Sequence, residues 1–377
     1  MASDIALDRL REFAPGSLIV DPMAGSGTVL RTASELGLRG AGFDLDPLAV
    51  LMTRVWTTKI DTSELIKLGD RVIAAAITIN HPKLEWIDNC VETKEFVQFW
   101  FEPKQIEPLR KLAFVLRGIE GPYGDALRLA LSRIIVTKER GASLARDTSH
   151  SRPHRTFFGN DYDVMRGYRV SVRQLADRLS GERLIGGVVA NVGDARNMDI
   201  VPSGMVDAVV TSPPYLNAID YLRGHKLALV WLGANIPEIR RVRGISIGAE
   251  HRPGGNIHVL HGDLMSDCRQ LSKLPARQFG IVARYVNDLL WLYAEFRRII
   301  KPEGKVISVV GDSCLRGIDI PNARLNSMAA RAVGLKEGRT WRRSIPSRNR
   351  YLPTSSKNDA KLSKRMTSEF VMEFLVA

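Results

Sequence analysis

The sequence contains little cysteine and no long apolar run. Its three cysteines, Cys90, Cys268 and Cys314, lie far apart and form no C-x-x-C pair. Neither a zinc site nor a disulfide framework is expected, and this usage fits a reducing compartment best. No apolar stretch reaches the roughly 18 residues that span a bilayer, and the N-terminus lacks the pattern of a signal peptide. We therefore predict a cytoplasmic protein that binds no metal and no membrane.

Acidic residues are also scarce relative to basic ones. The chain of 377 residues has 41 Asp and Glu against 54 Lys and Arg, which gives a formal net charge of +13. Such an excess favours a polyanionic partner, and nucleic acid is the first candidate. The hydrophobic content of 45% is ordinary for a globular protein, and the length allows one large domain or two.

A glycine turn lies close to the N-terminus. Residues 17–20 read as a buried strand, and the turn Asp21-Pro-Met-Ala-Gly-Ser-Gly-Thr28 leads from it into a helical pattern. Gly25 and Gly27 let the backbone pass close to a ligand. Asp44 ends the next strand, near the ~20-residue spacing at which an acidic residue meets ribose hydroxyls. The pair predicts an adenosine-containing cofactor, either a nicotinamide cofactor or S-adenosylmethionine.

A second stretch, Thr-Ser-Pro-Pro-Tyr at 211–215, follows an apolar strand. Two prolines cannot extend a sheet because each lacks an N–H, so the chain leaves the strand with a stiff backbone. Ser212 offers a hydroxyl, Pro213 a carbonyl and Tyr215 an aromatic face. These groups suit a flat molecule that carries an amine, although such a pattern is also typical of an ordinary loop.

Taken together, the motifs resemble those of the amino-group DNA methyltransferases of the class I S-adenosylmethionine-dependent fold. Met23 stands where that family usually has phenylalanine. The resemblance implies a Rossmann-like α/β fold with a mostly parallel, seven-stranded sheet. The alternation of strand, turn and helix disappears between residues 56 and 181. We therefore predict a catalytic domain at 1–55 and 182–377, and a mainly helical insertion at 56–181 that is a candidate for DNA recognition.

The resemblance also implies S-adenosylmethionine as the cofactor. Asp21, Gly25 and Gly27 would shape the methionine pocket, Asp44 would hold the ribose, and Asp194 would contact the adenine amino group. The full set of expected cofactor-binding residues is Asp21, Pro22, Ala24, Gly25, Gly27, Thr28, Asp44, Asp194 and Thr211.

The expected catalytic residues are Ser212, Pro213, Pro214 and Tyr215. A base amine is a poor nucleophile because its lone pair is delocalised into the ring. Hydrogen-bond acceptors at its two hydrogens would pull the nitrogen toward the tetrahedral geometry that attack on the methyl group needs. Ser212 and Pro213 are suited to be these acceptors. Tyr215 would stack on the base after the base is flipped out of the duplex. By resemblance, serine at the first motif position favours cytosine N4 over adenine N6. An RNA guanine-N2 methyltransferase and an inactive nucleic-acid-binding protein are the alternatives.

Expected DNA contacts lie in arginine-rich loops and on the helix after the Pro-Pro motif. Residues 133–155 carry six basic residues against two acidic ones, and residues 339–350 carry five arginines and no acid. Arginine forks suit phosphate, although a solvated basic loop fits the same pattern. The expected contacts are Arg146, Arg152, Arg155, Asn217, Tyr221, Arg223, Arg348 and Arg350. The predicted partner is double-stranded DNA, with a separate restriction endonuclease or defence-system subunit as a further candidate.

Overall fold

The structure is a computed structural model of the chain. The residues that it describes are 1, 3–137, 140–145, 155, 159–181, 183–216, 221–249, 256–267, 271, 274–315, 318–345 and 368–376. The chain divides into two compact units. The first comprises Met1–Leu45, Ile185–Ala218 and Gly244–Ala377, and the second comprises Asp46–Leu184 and Ile219–Arg243.

The first unit is built on a mixed β-sheet. The strands of this unit are β1 (Leu18–Asp21), β2 (Arg39–Asp44), β3 (Val188–Val192), β4 (Val206–Thr211), β5 (Ile300–Val310), β6 (Ser313–Leu315), β7 (Ile318–Ile320), β8 (Leu335–Ser344) and β9 (Ser368–Val376). Among the described residues, seven of these strands form one sheet in the order β3-β2-β1-β4-β5-β9-β8. The first five run parallel, and β9 is antiparallel to both of its neighbours. This confirms the predicted α/β class.

Some helices pack against the sheet of the first unit, and others make up the second unit. In chain order they are α1 (Ser3–Leu10), α2 (Thr28–Glu35), α3 (Pro47–Thr57), α4 (Thr62–Thr78), α5 (Glu85–Asp88), α6 (Val91–Trp100), α7 (Pro103–Arg117), α8 (Gly121–Arg133), α9 (Val164–Leu179), α10 (Leu222–Leu229), α11 (Ile236–Ile245), α12 (His261–Asp267), α13 (Ala276–Ile299) and α14 (Asn322–Ala332). Within the described ranges, none of them is long and apolar enough to cross a membrane.

The central strands are buried on both faces, which explains their unbroken apolar runs. Val20 and Val209 point into a core that also contains the buried residues of α13 and α14. Ile19 and Val210 alternate with them and face the opposite core, which α1 and α2 complete. The period of two therefore places apolar side chains on each side of the sheet.

The second unit is helical and has its own core. Its boundary differs from the one predicted at 56–181, because 46–55, 182–184 and 219–243 belong to this unit as well. The reason is packing: Leu51 of α3 and Leu227 of α10 lie in the same buried cluster as Leu127 of α8. Apolar periodicity predicts that a helix has a buried face, but it does not reveal which core that face joins.

A glycine pair brings the chain back to the sheet ahead of β3. The Gly186 N–H donates to the Ser34 carbonyl at 2.9 Å, and the Gly186 carbonyl accepts from Ser34 Oγ at 2.6 Å. A Cβ on Gly186 would overlap the carbonyl of Leu38, whereas one on Gly187 would meet nothing within 4 Å. Close backbone approach therefore requires glycine at 186 and not at 187.

We expect Gly186→Ala to destabilise the protein by about 1–3 kcal/mol, because the new methyl group forces the backbone apart. Gly187→Ala is the matched control and should change stability by less than about 1 kcal/mol, in either direction. Urea unfolding of the full chain measures both. Equal midpoints for the two variants would contradict this reading of the turn.

Candidate active site

Three strands of the sheet end in side chains with functional chemistry. β1 ends at Asp21, β2 at Asp44 and β4 at Thr211. Since these strands run parallel and β1 lies between the other two, their carboxyl ends meet at one edge of the sheet. Ligands of open α/β sheets bind at this edge. The structure thus brings the predicted cofactor residues and the start of the predicted catalytic loop together.

The glycine turn after β1 is tied to the acidic residue that ends β2. Gly25 and Gly27 have φ angles of 54° and 82°, in the left-handed region that favours glycine. The Gly25 N–H donates to Asp44 Oδ2 at 2.9 Å. A Cβ on Gly25 would meet nothing within 4 Å, so the outer side of the turn is open to a ligand. The turn therefore forms a cradle beside an acceptor for hydroxyl groups.

Asp21 is a buried carboxylate, with 3% of its surface exposed. Its Oδ1 atom accepts hydrogen bonds from Thr211 Oγ1 at 2.8 Å and from the Met23 N–H at 3.2 Å. Burial raises the pKa of Asp21 to about 6, and the hydrogen bond from Thr211 opposes that shift. A charged carboxylate held away from water is a strong attractor for a cationic ligand group.

The loop from Thr211 to Leu216 is fastened to its surroundings at several atoms. Ser212 Oγ donates to the Val309 carbonyl at 2.9 Å, and the Tyr285 hydroxyl donates to the Pro214 carbonyl at 3.0 Å. Burial raises the pKa of Tyr285, so its hydroxyl keeps the proton that it donates. Because the proton of Ser212 is directed at Val309, the lone pairs of Ser212 Oγ are left to act as acceptors.

Asp194 forms an ion pair that its sequence pattern did not predict. Its two carboxylate oxygens accept from Arg196 Nε at 2.9 Å and Arg196 Nη2 at 2.6 Å, and Arg196 Nη1 reaches Asp288 Oδ1 at 2.5 Å. Burial by itself would lower the pKa of Arg196, but its two carboxylate partners raise it. Asp194 Oδ1 also accepts from the Arg196 backbone N–H at 3.0 Å, which occupies both of its lone pairs. Asp194 Oδ2 keeps one further lone pair, so an adenine amine remains a compatible partner of that atom.

Three of the predicted DNA contacts lie in the second unit. Tyr221 is 62% exposed at the start of α10, and its ring centroid is 6.2 Å from that of His225. Arg223 follows within the same helix. Arg155 forms an ion pair with Glu102 at 3.6 Å, which competes with any phosphate. The other five predicted contacts lie outside the described residues: Arg146, Arg152, Asn217, Arg348 and Arg350.

Asp46, from the same motif as Asp44, also lies in the second unit and has a structural use there. Its Oδ1 atom accepts from the Leu48 N–H at 2.9 Å and so caps α3. Its Oδ2 atom lies 2.5 Å from His225 Nδ1. Among the described residues, no group of three or more His, Cys, Asp or Glu side chains is arranged to hold a metal ion.

Comparisons with known proteins agree with the fold. No family model matches the sequence. The chain is 22% identical over 381 residues to the Type II methyltransferase M.MvaI of Kocuria varians, with 94% of this chain and 83% of that protein covered. It is 23% identical over 393 residues to the Type II methyltransferase M.BsoBI of Geobacillus stearothermophilus, with 89% and 76% covered.

A solved TehB-like SAM-dependent methyltransferase of Corynebacterium glutamicum is 9% identical, with 99% of this chain and 88% of that chain covered. Its TM-score with this chain is 0.32. The sheet of this chain has seven strands and is mostly parallel, as the resemblance in the sequence implied. The predicted α/β fold with a mostly parallel, seven-stranded sheet is therefore confirmed.

The raised pKa of Asp21 predicts how stability depends on pH. An aspartate whose pKa is raised by folding contributes stability below its unfolded pKa of about 4, and this contribution is lost as the pH rises through about 6. Asp21→Asn keeps an acceptor for Thr211 without the buried charge. We expect this variant to be more stable than the wild type at pH 8 and equally stable at pH 4, as measured by urea unfolding.

Asp207→Asn, on the adjoining strand β4, is a control because the pKa of Asp207 is shifted in the opposite direction to that of Asp21. Asp207 accepts from the Leu18 N–H at 2.8 Å and from Lys301 Nζ at 2.6 Å. Burial opposes ionisation, but these two partners hold the pKa of Asp207 below its usual value. Its contribution is therefore present above about pH 4 and lost as the pH falls through the folded pKa. Asp207→Asn should be less stable than the wild type at pH 8. A loss of stability at pH 8 in Asp21→Asn as well would contradict the assignment for Asp21.

Proposed function

We propose that this protein is an S-adenosylmethionine-dependent DNA methyltransferase that modifies the exocyclic amine of a base, with cytosine N4 favoured. The observation that carries the proposal is the shared edge of the sheet at Asp21, Asp44 and Thr211. There a cradle for a cationic, ribose-containing cofactor adjoins a loop with acceptors for an amine. The near full-length similarity to two Type II methyltransferases supports it.

The residues at the edge fit S-adenosylmethionine by charge and by space. The buried Asp21 suits the ammonium of the methionine part, and Asp44 suits the ribose hydroxyls. Asp194 is assigned to the adenine amine. The remaining cofactor contacts that we propose line the glycine turn and the start of the loop: Pro22, Ala24, Gly25, Gly27, Thr28 and Thr211. When bound, the cofactor supplies a methyl group on a positively charged sulfur.

The loop supplies acceptors in place of a strong base. Ser212 Oγ and the Pro213 carbonyl accept the two amine hydrogens, which returns lone-pair density to the nitrogen. Bound S-adenosylmethionine would supply the methyl group to this nitrogen, and the proton that the nitrogen loses would pass to solvent water. Tyr215 stacks on the flipped base and Pro214 keeps the loop stiff. Catalysis thus rests on positioning and on hydrogen bonds.

The net charge of +13 supports a nucleic-acid substrate. Double-stranded DNA is the substrate that we propose, with the base flipped out of the duplex, because the two Type II relatives share most of the chain. Adenine N6 is the second candidate base, and an RNA guanine-N2 activity is the third. A protein that binds nucleic acid without catalysis would retain the cradle but would transfer nothing.

Ser212→Ala tests the loop. We expect methyl transfer to DNA to fall by about 10²–10³-fold in kcat, because one acceptor at the amine is lost, while the Kd for S-adenosylmethionine is unchanged. Ser34→Ala is the matched control, since it also removes a serine hydroxyl that donates to a backbone carbonyl in a partly buried hydrogen bond. Labelled methyl transfer, followed by sequencing of modified bases at single-base resolution, reports rate, base and site together. Unchanged transfer by Ser212→Ala would refute the assignment.

Asp44→Ala tests the cofactor cradle separately. Loss of the acceptor for ribose and for the Gly25 N–H should raise the Kd for S-adenosylmethionine by about tenfold or more, as measured by calorimetry. Ser212→Ala serves as the reciprocal control because it should leave this Kd unaltered. If Asp44→Ala bound the cofactor normally, the ribose assignment would be wrong. If the wild type bound cofactor but methylated no DNA, RNA would become the substrate to examine.

A further inference from the structure

Buried side chains hold the backbone of the catalytic loop on the side of α13 and α14. The Tyr285 hydroxyl donates to the Pro214 carbonyl at 3.0 Å. Two residues further on, the Leu216 N–H donates to Asn322 Oδ1 at 3.2 Å, and the Leu216 carbonyl accepts from Ser313 Oγ at 2.6 Å. The loop is therefore held at both backbone groups of Leu216 as well as at Pro214.

The contacts at Leu216 form a closed ring of hydrogen bonds. Asn322 Nδ2 donates to Ser313 Oγ at 2.9 Å, so Asn322, Ser313 and Leu216 each donate once and accept once within the ring. A second bond from Asn322 Nδ2 reaches the Gly311 carbonyl at 3.1 Å. Asn322 and Tyr285 are both completely buried. Fully satisfied buried networks specify one geometry, because any displacement leaves polar groups unpaired.

These contacts limit the orientation of the Pro213 carbonyl. Ser212 on one side is held through Val309, and Pro214 on the other side is held through Tyr285. The φ angles of both prolines are fixed near −65° by their rings. Only a few backbone torsions are left between the two held points. The direction of the Pro213 carbonyl, which is the acceptor that we assign to the base amine, therefore follows from where Tyr285 and Leu216 are held.

We propose that Tyr285, Asn322 and Ser313 are positioning residues for the target amine. They act through the loop rather than on the base, and this inference rests on the proposed function. An acceptor displaced by about 1 Å from the amine loses most of its effect, so small movements of the loop carry a large cost in rate. The network therefore acts on kcat more than on the affinity for cofactor.

The chain offers a matched pair of variants. Tyr285 and Tyr293 are both completely buried on α13. The Tyr293 hydroxyl lies 3.0 Å from both Ser308 Oγ and Asn326 Oδ1, and neither atom belongs to the loop. Tyr285→Phe and Tyr293→Phe each delete one buried hydroxyl from the same helix. Asn326 Nδ2 also donates to the Tyr285 hydroxyl at 3.4 Å, so Tyr293 is linked to the loop indirectly, through Asn326 and Tyr285. A structural role alone would affect both variants alike, whereas a positioning role affects the first much more than the second.

We expect Tyr285→Phe to lower kcat for DNA methylation by about 10- to 100-fold with the Kd for S-adenosylmethionine unchanged. Tyr293→Phe should keep kcat within about twofold. Ser313→Ala removes the hydroxyl that holds the loop at the Leu216 carbonyl, and it should also lower kcat. Urea midpoints of all three variants control for loss of folded protein. Equal kcat values for the two phenylalanine variants would overturn the inference.

Amide hydrogen exchange of the segment 211–216 gives a readout that does not depend on activity. Tyr285→Phe and Ser313→Ala should speed exchange at the Leu216 N–H, and Tyr293→Phe should leave it as in the wild type. Unchanged exchange in all three would show that the network does not hold the loop, whatever the enzyme does. A wild type that methylates no DNA would instead refute the proposed function, and the exchange comparison would still decide whether Tyr285 holds the loop.

Discussion

The hydrogen bond from Thr211 to Asp21 joins the two halves of the candidate site. β1 and β4 pair through Ile19 with Ala208 and through Val20 with Val209, and the side-chain bond extends that pairing to the strand ends. Beyond this point the two strands diverge, β1 into the glycine turn and β4 into the loop that carries the Pro-Pro motif. Because the bond is buried, solvent does not compete for either partner. The distance between cofactor cradle and loop is thereby set by the sheet itself.

The sequence predicted the parts of the site that depend on local chemistry. Gly25 requires a left-handed backbone, Asp44 ends the strand after it, and two adjacent prolines must leave a sheet, so each signal is contained in a few residues. Arg196 and Asn322 were missed because their importance comes from partners far away in the chain. Asp288 lies 92 positions from Arg196, and Leu216 lies 106 positions from Asn322. Polar residues inside a helical pattern give no sign of such partners.

The buried polar groups of the first unit serve geometry more than stability. Asp21 is destabilising at neutral pH by virtue of its raised pKa, and the hydroxyl of Tyr285 occupies a core position where phenylalanine would also fit. Groups of this kind are retained where one conformation has to be specified. Their concentration beside the loop after β4 indicates where this protein tolerates the least movement. Functional sites are where local stability rules are commonly broken.

The position of β9 in the sheet constrains the order in which the chain can assemble. β8 has no pairing with β5, since β9 lies between them. On the ribosome, β8 emerges before the strand that connects it to the rest of the sheet, and the outer edge of β5 stays open until that strand is made. Open edges of this kind invite pairing with other chains. Closure of the sheet therefore waits for β9, which pairs with both β5 and β8.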